Sequence, residues 1–257
     1  MAERRAAGPM GRRSLAIRLN RGLYRLTHTW FTWFAGIGFL WVGLPWLAPV
    51  FMHFGWEQPA RAIYFIYSFQ CHQLPERSFF LFGPKPMYSL ARIQAAWHQT
   101  IDPLILRQFV GNAAMGYKVA WSDRMVSAYG TIPVAALVWW PLRHRIKPLP
   151  IWGFFLMALP MAVDGTSHFF SDLAGLGQGF RYNNIWLANL THHLFAQSFY
   201  YGDALGSFNS TMRLLTGVLF AIGLVWFSFP YLQASFADAG RQVEAKFDQA
   251  GIDWDSR

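Results

Sequence analysis

An all-α, polytopic membrane bundle of about four spanning helices, with further helices lying at the interface, is the fold class this sequence predicts. Two observations carry the prediction. Of 257 residues 54% are hydrophobic and only 14% are charged, well short of the quarter usual in soluble domains. The apolar residues also fall in long blocks without Asp, Glu, Lys or Arg, the pattern of a chain solvated by lipid. A single cysteine excludes an internal disulfide framework and an all-cysteine metal site.

The first block is the 31 uncharged residues 26–56, whose Trp, Phe, Leu and Val density sets a span at about 30–54. Residues 125–142 give 18 uncharged residues, about 27 Å of helix against a hydrocarbon core of about 30 Å. A third span, 149–171, lies in a stretch with one charge, Asp164, and a fourth, 214–237, lies in a stretch with none. Backbone amides in lipid must be satisfied within the segment, so each span is expected to be helical, with kinks at Pro45, Pro133 and Pro160. Residues 62–75 are too short to cross, and 182–202 carry eight Asn, Thr, His, Gln or Ser among 21 residues. Both are expected to lie on the membrane.

Direction follows from Lys and Arg, which are retained on the cytoplasmic side of short loops. Seven Arg fall in residues 1–29, while Arg143, Arg145 and Lys147 crowd one short turn. Both termini are therefore expected inside a bacterial or archaeal cytoplasmic membrane, with 1–29 a basic amphipathic segment, 30–237 the transmembrane domain and 238–257 a tail. Residues 1–29 do not read as a cleavable signal, because the apolar stretch after them is too long. Leu15, Leu19, Leu23 and Leu26 recur at helical spacing opposite Arg18, Arg21 and Arg25, which suits an anionic lipid surface. The net charge of +9 thus points to membrane and not to nucleic acid, for which no recognition motif is present.

Counting along the spans brings polar residues to one level. Asp164 lies fifteen residues into span three, about 22 Å from its inner end, with His168 one turn further on the same face. Span four is preceded and begun by Asn209, Arg213, Thr216 and Gly217, and span two by Ser122, Asp123 and Arg124. A charge at such depth turns toward a partner, so Asp164 is expected to pair with Arg213 or Arg124. Just outside lie Cys71, His72, Gln73, Glu76 and Arg77, within seven residues. A thiolate beside an imidazole suits a metal or a nucleophile, so Cys71, His72 and His168 are candidate ligands of a divalent metal, with His192 and His193 as remoter ones. Glu76 and Arg77 suit a surface salt bridge or a phosphate contact. Nucleophile elbows, phosphate loops and zinc-protease helices are absent from the sequence.

The run Cys71-His72-Gln73-Leu74-Pro75-Glu76-Arg77-Ser78-Phe79-Phe80, then Asp164-Gly165-Thr166, then Asn209-x-x-x-Arg213-x-x-Thr216-Gly217, resembles an uncharacterised bacterial and archaeal membrane family, domain of unknown function 2085. The resemblance spans about residues 60–235 and implies a membrane fold and a polar cluster, without an activity. Relatives in that family resemble each other in Cys-x-Arg-Cys-x-Gly-x-Tyr at a helix start. Here the corresponding run keeps Arg124 and Tyr129 but has Ser122 and Met125 at the cysteine positions, and His168 stands at a Gln position.

The functional expectation is a binding or accessory protein. Its site, Cys71, His72, Gln73, Glu76, Arg77, Arg124, Asp164, Asn209, Arg213 and Thr216, would recognise a lipid headgroup, an ion, a membrane partner or a second copy of the chain. One alternative is a membrane enzyme acting on a lipid or with a metal-bound water, using Asp164 or Glu76 as base and Arg213 to stabilise charge. The other is a small ion or proton-linked transporter, against which the apolar inner halves of the spans argue.

Overall fold

The structure, a computed structural model, describes residues 9–252. Arg4, Arg5, Asp253 and Asp255, which belong to the expected cytoplasmic ends, lie outside the described residues. In chain order the elements are α1 (Pro9–His53), α2 (Glu57–Ser68), a 3-10 turn at Pro75–Arg77, β1 (Ser78–Leu81), α3 (Leu90–Ala96), α4 (Pro103–Leu106), β2 (Gly111–Asn112) and β3 (Gly116–Ser122). Then follow α5 (Asp123–Leu142), α6 (Ile151–Asp172), α7 (Phe180–Asn183), α8 (Ile185–Leu190), α9 (Gln197–Tyr200) and α10 (Phe208–Gln249).

The chain divides into two compact units, residues 1–37 with 228–257 and residues 38–227. In the first unit the described parts of α1 and α10 meet through aromatic side chains. The Trp30 ring stacks on Phe236 with centroids 5.1 Å apart, and its indole nitrogen donates to Gln233 Oε1 at 3.2 Å. The domain boundaries expected at 29/30 and 237/238 fall inside continuous helices, because neither place has a proline or a left-handed residue to stop the helix.

In the second unit a small antiparallel sheet, in the order β1-β3-β2, corrects the all-α expectation. Alternation of buried and half-buried residues along Ser78–Leu81, and the Tyr, Val and Trp of β3, favour strands over helix. Phe80 faces Lys118 and Leu81 faces Tyr117 in the register. The β2–β3 turn is closed by Asn112, whose Oδ1 accepts the backbone N–H groups of Ala114 and Met115 at 3.0 and 2.9 Å. One apolar core joins Ile63, Tyr64 and Tyr67 of α2 to Val119, Ala120 and Trp121 of β3, and the Tyr64 hydroxyl donates to Lys118 O at 2.5 Å. A second core gathers Leu74, Phe80, Ile93, Leu106 and Phe109. The sheet therefore anchors the 69–81 segment against the start of α5.

Among the described residues three helices are long and apolar enough to cross a membrane, in Arg13–His53, Asp123–Leu142 and Phe208–Gln249. The fourth expected span is helical as α6, but six polar residues among its last nine keep it out of that set. Its outward face is nonetheless oily, with Trp152, Phe155, Leu156, Leu159 and Val163 all more than half exposed. The kink residues Pro45, Pro133 and Pro160 do lie inside α1, α5 and α6.

Candidate functional site

Two close approaches deliver charged side chains to one place in the second unit. At Gly217 a Cβ would lie 2.1 Å from Ser127 Oγ, so only glycine lets α5 and α10 touch there. Ser127 Oγ accordingly donates to Arg213 O at 3.2 Å, and the Arg213 side chain faces the first turn of α5. At Gly179 a Cβ would lie 2.0 Å from Ser171 O, so the chain leaving α6 folds back onto it. That return starts α7 with Arg181 N donating to Ser171 Oγ at 3.0 Å and carries the Arg181 guanidinium to Asp164.

The ion pairs form two separate chains. In the first, Arg77 grips Asp172 with both terminal nitrogens, at 2.7 and 2.8 Å, and donates from Nε to Asp203 at 3.2 Å. Asp203 also accepts from Arg213 Nη1 at 2.6 Å, and Arg213 Nε donates to Asp123 at 2.7 Å. Ser210 Oγ closes the end on Asp123 at 3.0 Å. In the second, Asp164 accepts from Arg124 Nη2 at 2.7 Å and from Arg181 Nη2 at 2.6 Å, and Arg181 Nη2 also lies 3.1 Å from His168 Nε2. Asn209 holds the connecting loop, donating to Arg181 O and Gly202 O at 2.6 and 2.9 Å. Burial raises the cost of ionising Asp203, but Arg77 and Arg213 outweigh it and hold the carboxyl well below the usual carboxylate range.

Against these chains opens a cavity of about 130 Å³ lined by Cys71, His72, Gln73, Arg77, Arg124 and Arg213, among others. No carboxylate lines it, although three guanidiniums do. The cavity is roomy enough for several waters or a small ion. Arg124 is the least committed of the three: its one side-chain bond is to Asp164, and its buried Nε has no partner. Cys71 is buried with its sulfur accepting the backbone N–H groups of Gln73 and Ser122 at 3.3 and 3.4 Å.

Behind the cavity, Glu76 and Lys118 are sealed from solvent. Glu76 is 2% exposed, neither carboxyl oxygen has a hydrogen-bond partner, and burial pushes its pKa up to about 7 against the pull of Arg77. Burial likewise pushes Lys118 down to about 7, against the pull of Glu76, while its ammonium donates to Gln73 O and Arg107 O at 2.8 and 2.6 Å.

Several placements differ from the sequence expectations. Of the two partners expected for Asp164, Arg124 takes it; Arg213 is drawn to Asp123 by the close α5–α10 approach. Glu76 and Arg77 do not form a surface pair, because successive residues of the 3-10 turn point apart, Glu76 into the interior and Arg77 toward Asp172 and Asp203. Thr216 donates to Met212 O on its own helix. His72, His192 and His193 are exposed, and His168 Nε2 faces Arg181. Among the described residues no group of three His, Cys, Asp or Glu is placed to hold a metal ion. Cys71, His72, Gln73, Arg77, Arg124 and Arg213 are brought together at the cavity, with Asp164 one bond behind Arg124.

Arg181, Asp203 and Asp172 were not among the expected site residues. Arg181 and Asp203 are the only charged residues in 173–212, and Asp164, His168 and Asp172 repeat every four residues along one helix face. Both signals are legible in the sequence. Lys118 has none, since a lone lysine in a strand gives no sign of burial.

No family model matches the chain. It is 27% identical over 142 residues to an uncharacterised protein of Methanocaldococcus jannaschii, a stretch covering 52% of this chain and 67% of that protein. No solved structure matches.

Proposed function

We propose that this chain is a four-span protein of the bacterial or archaeal cytoplasmic membrane, with both termini inside, that acts as a binding or accessory protein for an anionic group. The observation that carries the reading is the cavity lined by Arg77, Arg124 and Arg213 and by no carboxylate, with Arg124 holding only one carboxylate, Asp164, behind it. Guanidinium N–H forks match phosphate oxygens. The oily outward face of α6 supports counting it as the fourth span, and the basic residues of 1–29 and 143–147 support the orientation. Exposed Leu15, Leu19, Leu23 and Leu26 on α1 support contact of the N-terminal helix with anionic lipid. The motifs at Cys71–Phe80, Asp164–Thr166 and Asn209–Gly217 support kinship with domain of unknown function 2085. Both oxygens of Asp164 are taken by guanidiniums, leaving neither to accept a substrate proton, which favours binding over acid–base chemistry.

The test is calorimetric titration of the full chain in detergent with inorganic phosphate, and separately with a water-soluble short-chain phosphatidylglycerol. Binding of either, weakened about tenfold or more by Arg124→Gln, supports the reading. The stronger of the two tells free ion from headgroup. Absence of heat from both, or equal affinity in Arg124→Gln, overturns it.

A further inference from the structure

A second concavity, of about 550 Å³, runs along α6, α7, α8 and α10 and shares no lining residue with the arginine cavity. Its walls are apolar, built by Leu159, Val163, Phe180, Trp186 and Met212, and its volume lies in the range of ligand sites. At one edge stand Asp164 and Arg181. We propose that this groove binds one anionic glycerophospholipid, with an acyl chain along the apolar walls and the phosphate at Arg181.

Charge decides the class of occupant. The second ion-pair chain sets two guanidiniums, Arg124 and Arg181, against a single carboxylate, Asp164, and so carries one positive charge in surplus. The first chain has the opposite balance, two arginines to three aspartates, but its carboxylates bond Arg77 and Arg213 and none of them pairs with Arg124 or Arg181. Arg181 is more than nine-tenths buried, its Nε is unpartnered, and its guanidinium lies over the Phe208 ring at 5.3 Å, at the groove wall. An apolar partner helix fills the walls but leaves the charge, and a free phosphate answers the charge but leaves the walls bare. An anionic lipid does both. The proposal rests on the membrane reading for its supply of lipid and not on the arginine cavity.

The experiment is native mass spectrometry of the delipidated full chain in detergent, titrated with dioleoyl phosphatidylglycerol and, in parallel, dioleoyl phosphatidylcholine. Val163→Trp fills the groove from a position 57% exposed, so folding is retained, and circular dichroism checks it. Phosphatidylglycerol is expected to bind about tenfold more tightly than phosphatidylcholine, and Val163→Trp to weaken it by about tenfold. Equal binding of the two lipids, or of parent and Val163→Trp, means surface lipid only and overturns the groove. Loss of lipid in Arg124→Gln but not in Val163→Trp places the lipid in the arginine cavity, which overturns the groove while leaving the first reading intact.

Discussion

The two ion-pair chains use the same residue types to opposite ends. In the chain Asp172–Arg77–Asp203–Arg213–Asp123 each guanidinium meets two carboxylates, and Arg213 gives a third bond to Asp203 O. In the chain Arg124–Asp164–Arg181 one carboxylate serves two guanidiniums, and both Nε groups are left unpartnered in the interior. A closed chain fixes geometry, because each charge is satisfied and leaving any one alone is costly. An open chain leaves its guanidiniums with donor capacity that no carboxylate of the protein takes up. The closed chain is the frame that clips the 3-10 turn, the loop after α9 and the starts of α5 and α10 together, and the open chain is where ligand is expected.

The largest effect expected is at the centre of the frame. Asp203→Asn leaves Arg77 and Arg213 short of a carboxylate with Arg213 only 2% exposed, and breaking a buried pair in this way costs about 3–5 kcal/mol. Thermal unfolding in detergent is expected to show a large drop or failure to fold. A midpoint within a few degrees of the parent would mean that the frame is dispensable and would remove the contrast between the chains.

Next in size is the proton on Glu76. Below pH 4.5 the carboxyl is neutral in both folded and unfolded chains; above it the unfolded chain ionises while the fold holds the proton to about pH 7. The unfolded state then binds fewer protons, so stability falls as pH rises through that window, by about 3 kcal/mol in all. Glu76→Gln keeps the neutral shape and lacks this dependence. Its stability relative to the parent is expected to climb between pH 4.5 and pH 8. A difference that stays flat with pH would show that Glu76 is ionised in the fold and is held by Lys118 and Arg77 as a working member of the charge network.

What the sequence disclosed of this arrangement follows from what each signal depends on. Uncharged runs depend on composition alone, so the helices around 30–54, 125–142 and 214–237 are legible, as is the helical state of 149–171. The sheet is not, since β1 and β3 are short and lie 34 residues apart, and strand pairing over that distance leaves no local period longer than a few residues. At the site, Arg124, Asp164 and Arg213 stand out because charges are rare inside apolar runs. Their pairing does not follow from depth along a helix, which sets level and not azimuth; the contact at Gly217 decides that Arg213 meets Asp123. Arg181 reaches Asp164 through a loop whose fold-back depends on Gly179, a tertiary fact with only a glycine as its trace.

That dependence on Gly217 gives a smaller, local effect. Gly217→Ala puts a methyl group 2.1 Å from Ser127 Oγ and 3.0 Å from Ala128 N, so α5 and α10 must part there. Overpacking of this kind costs about 1–3 kcal/mol. Ser127→Ala in the same chain frees the hydroxyl's space and is expected to recover part of the loss; no recovery would place the clash on the Ala128 backbone.

The smallest stability effect is expected at the open chain, and it separates the two chains most directly. Removing the Arg124 guanidinium by Arg124→Gln leaves Asp164 with Arg181 at 2.6 Å, so no carboxylate is stranded and the side chain was already 20% exposed. The cost is therefore that of one hydrogen bond to a charged group, about 1–3 kcal/mol and toward the lower end, since one guanidinium of a surplus is removed with it. Phosphate affinity should fall about tenfold in the same variant. Function lost with the fold intact is the behaviour of a ligand-facing residue. A collapse in stability as large as that of Asp203→Asn would instead make the open chain a second frame, with its unpartnered donors an incidental result of packing.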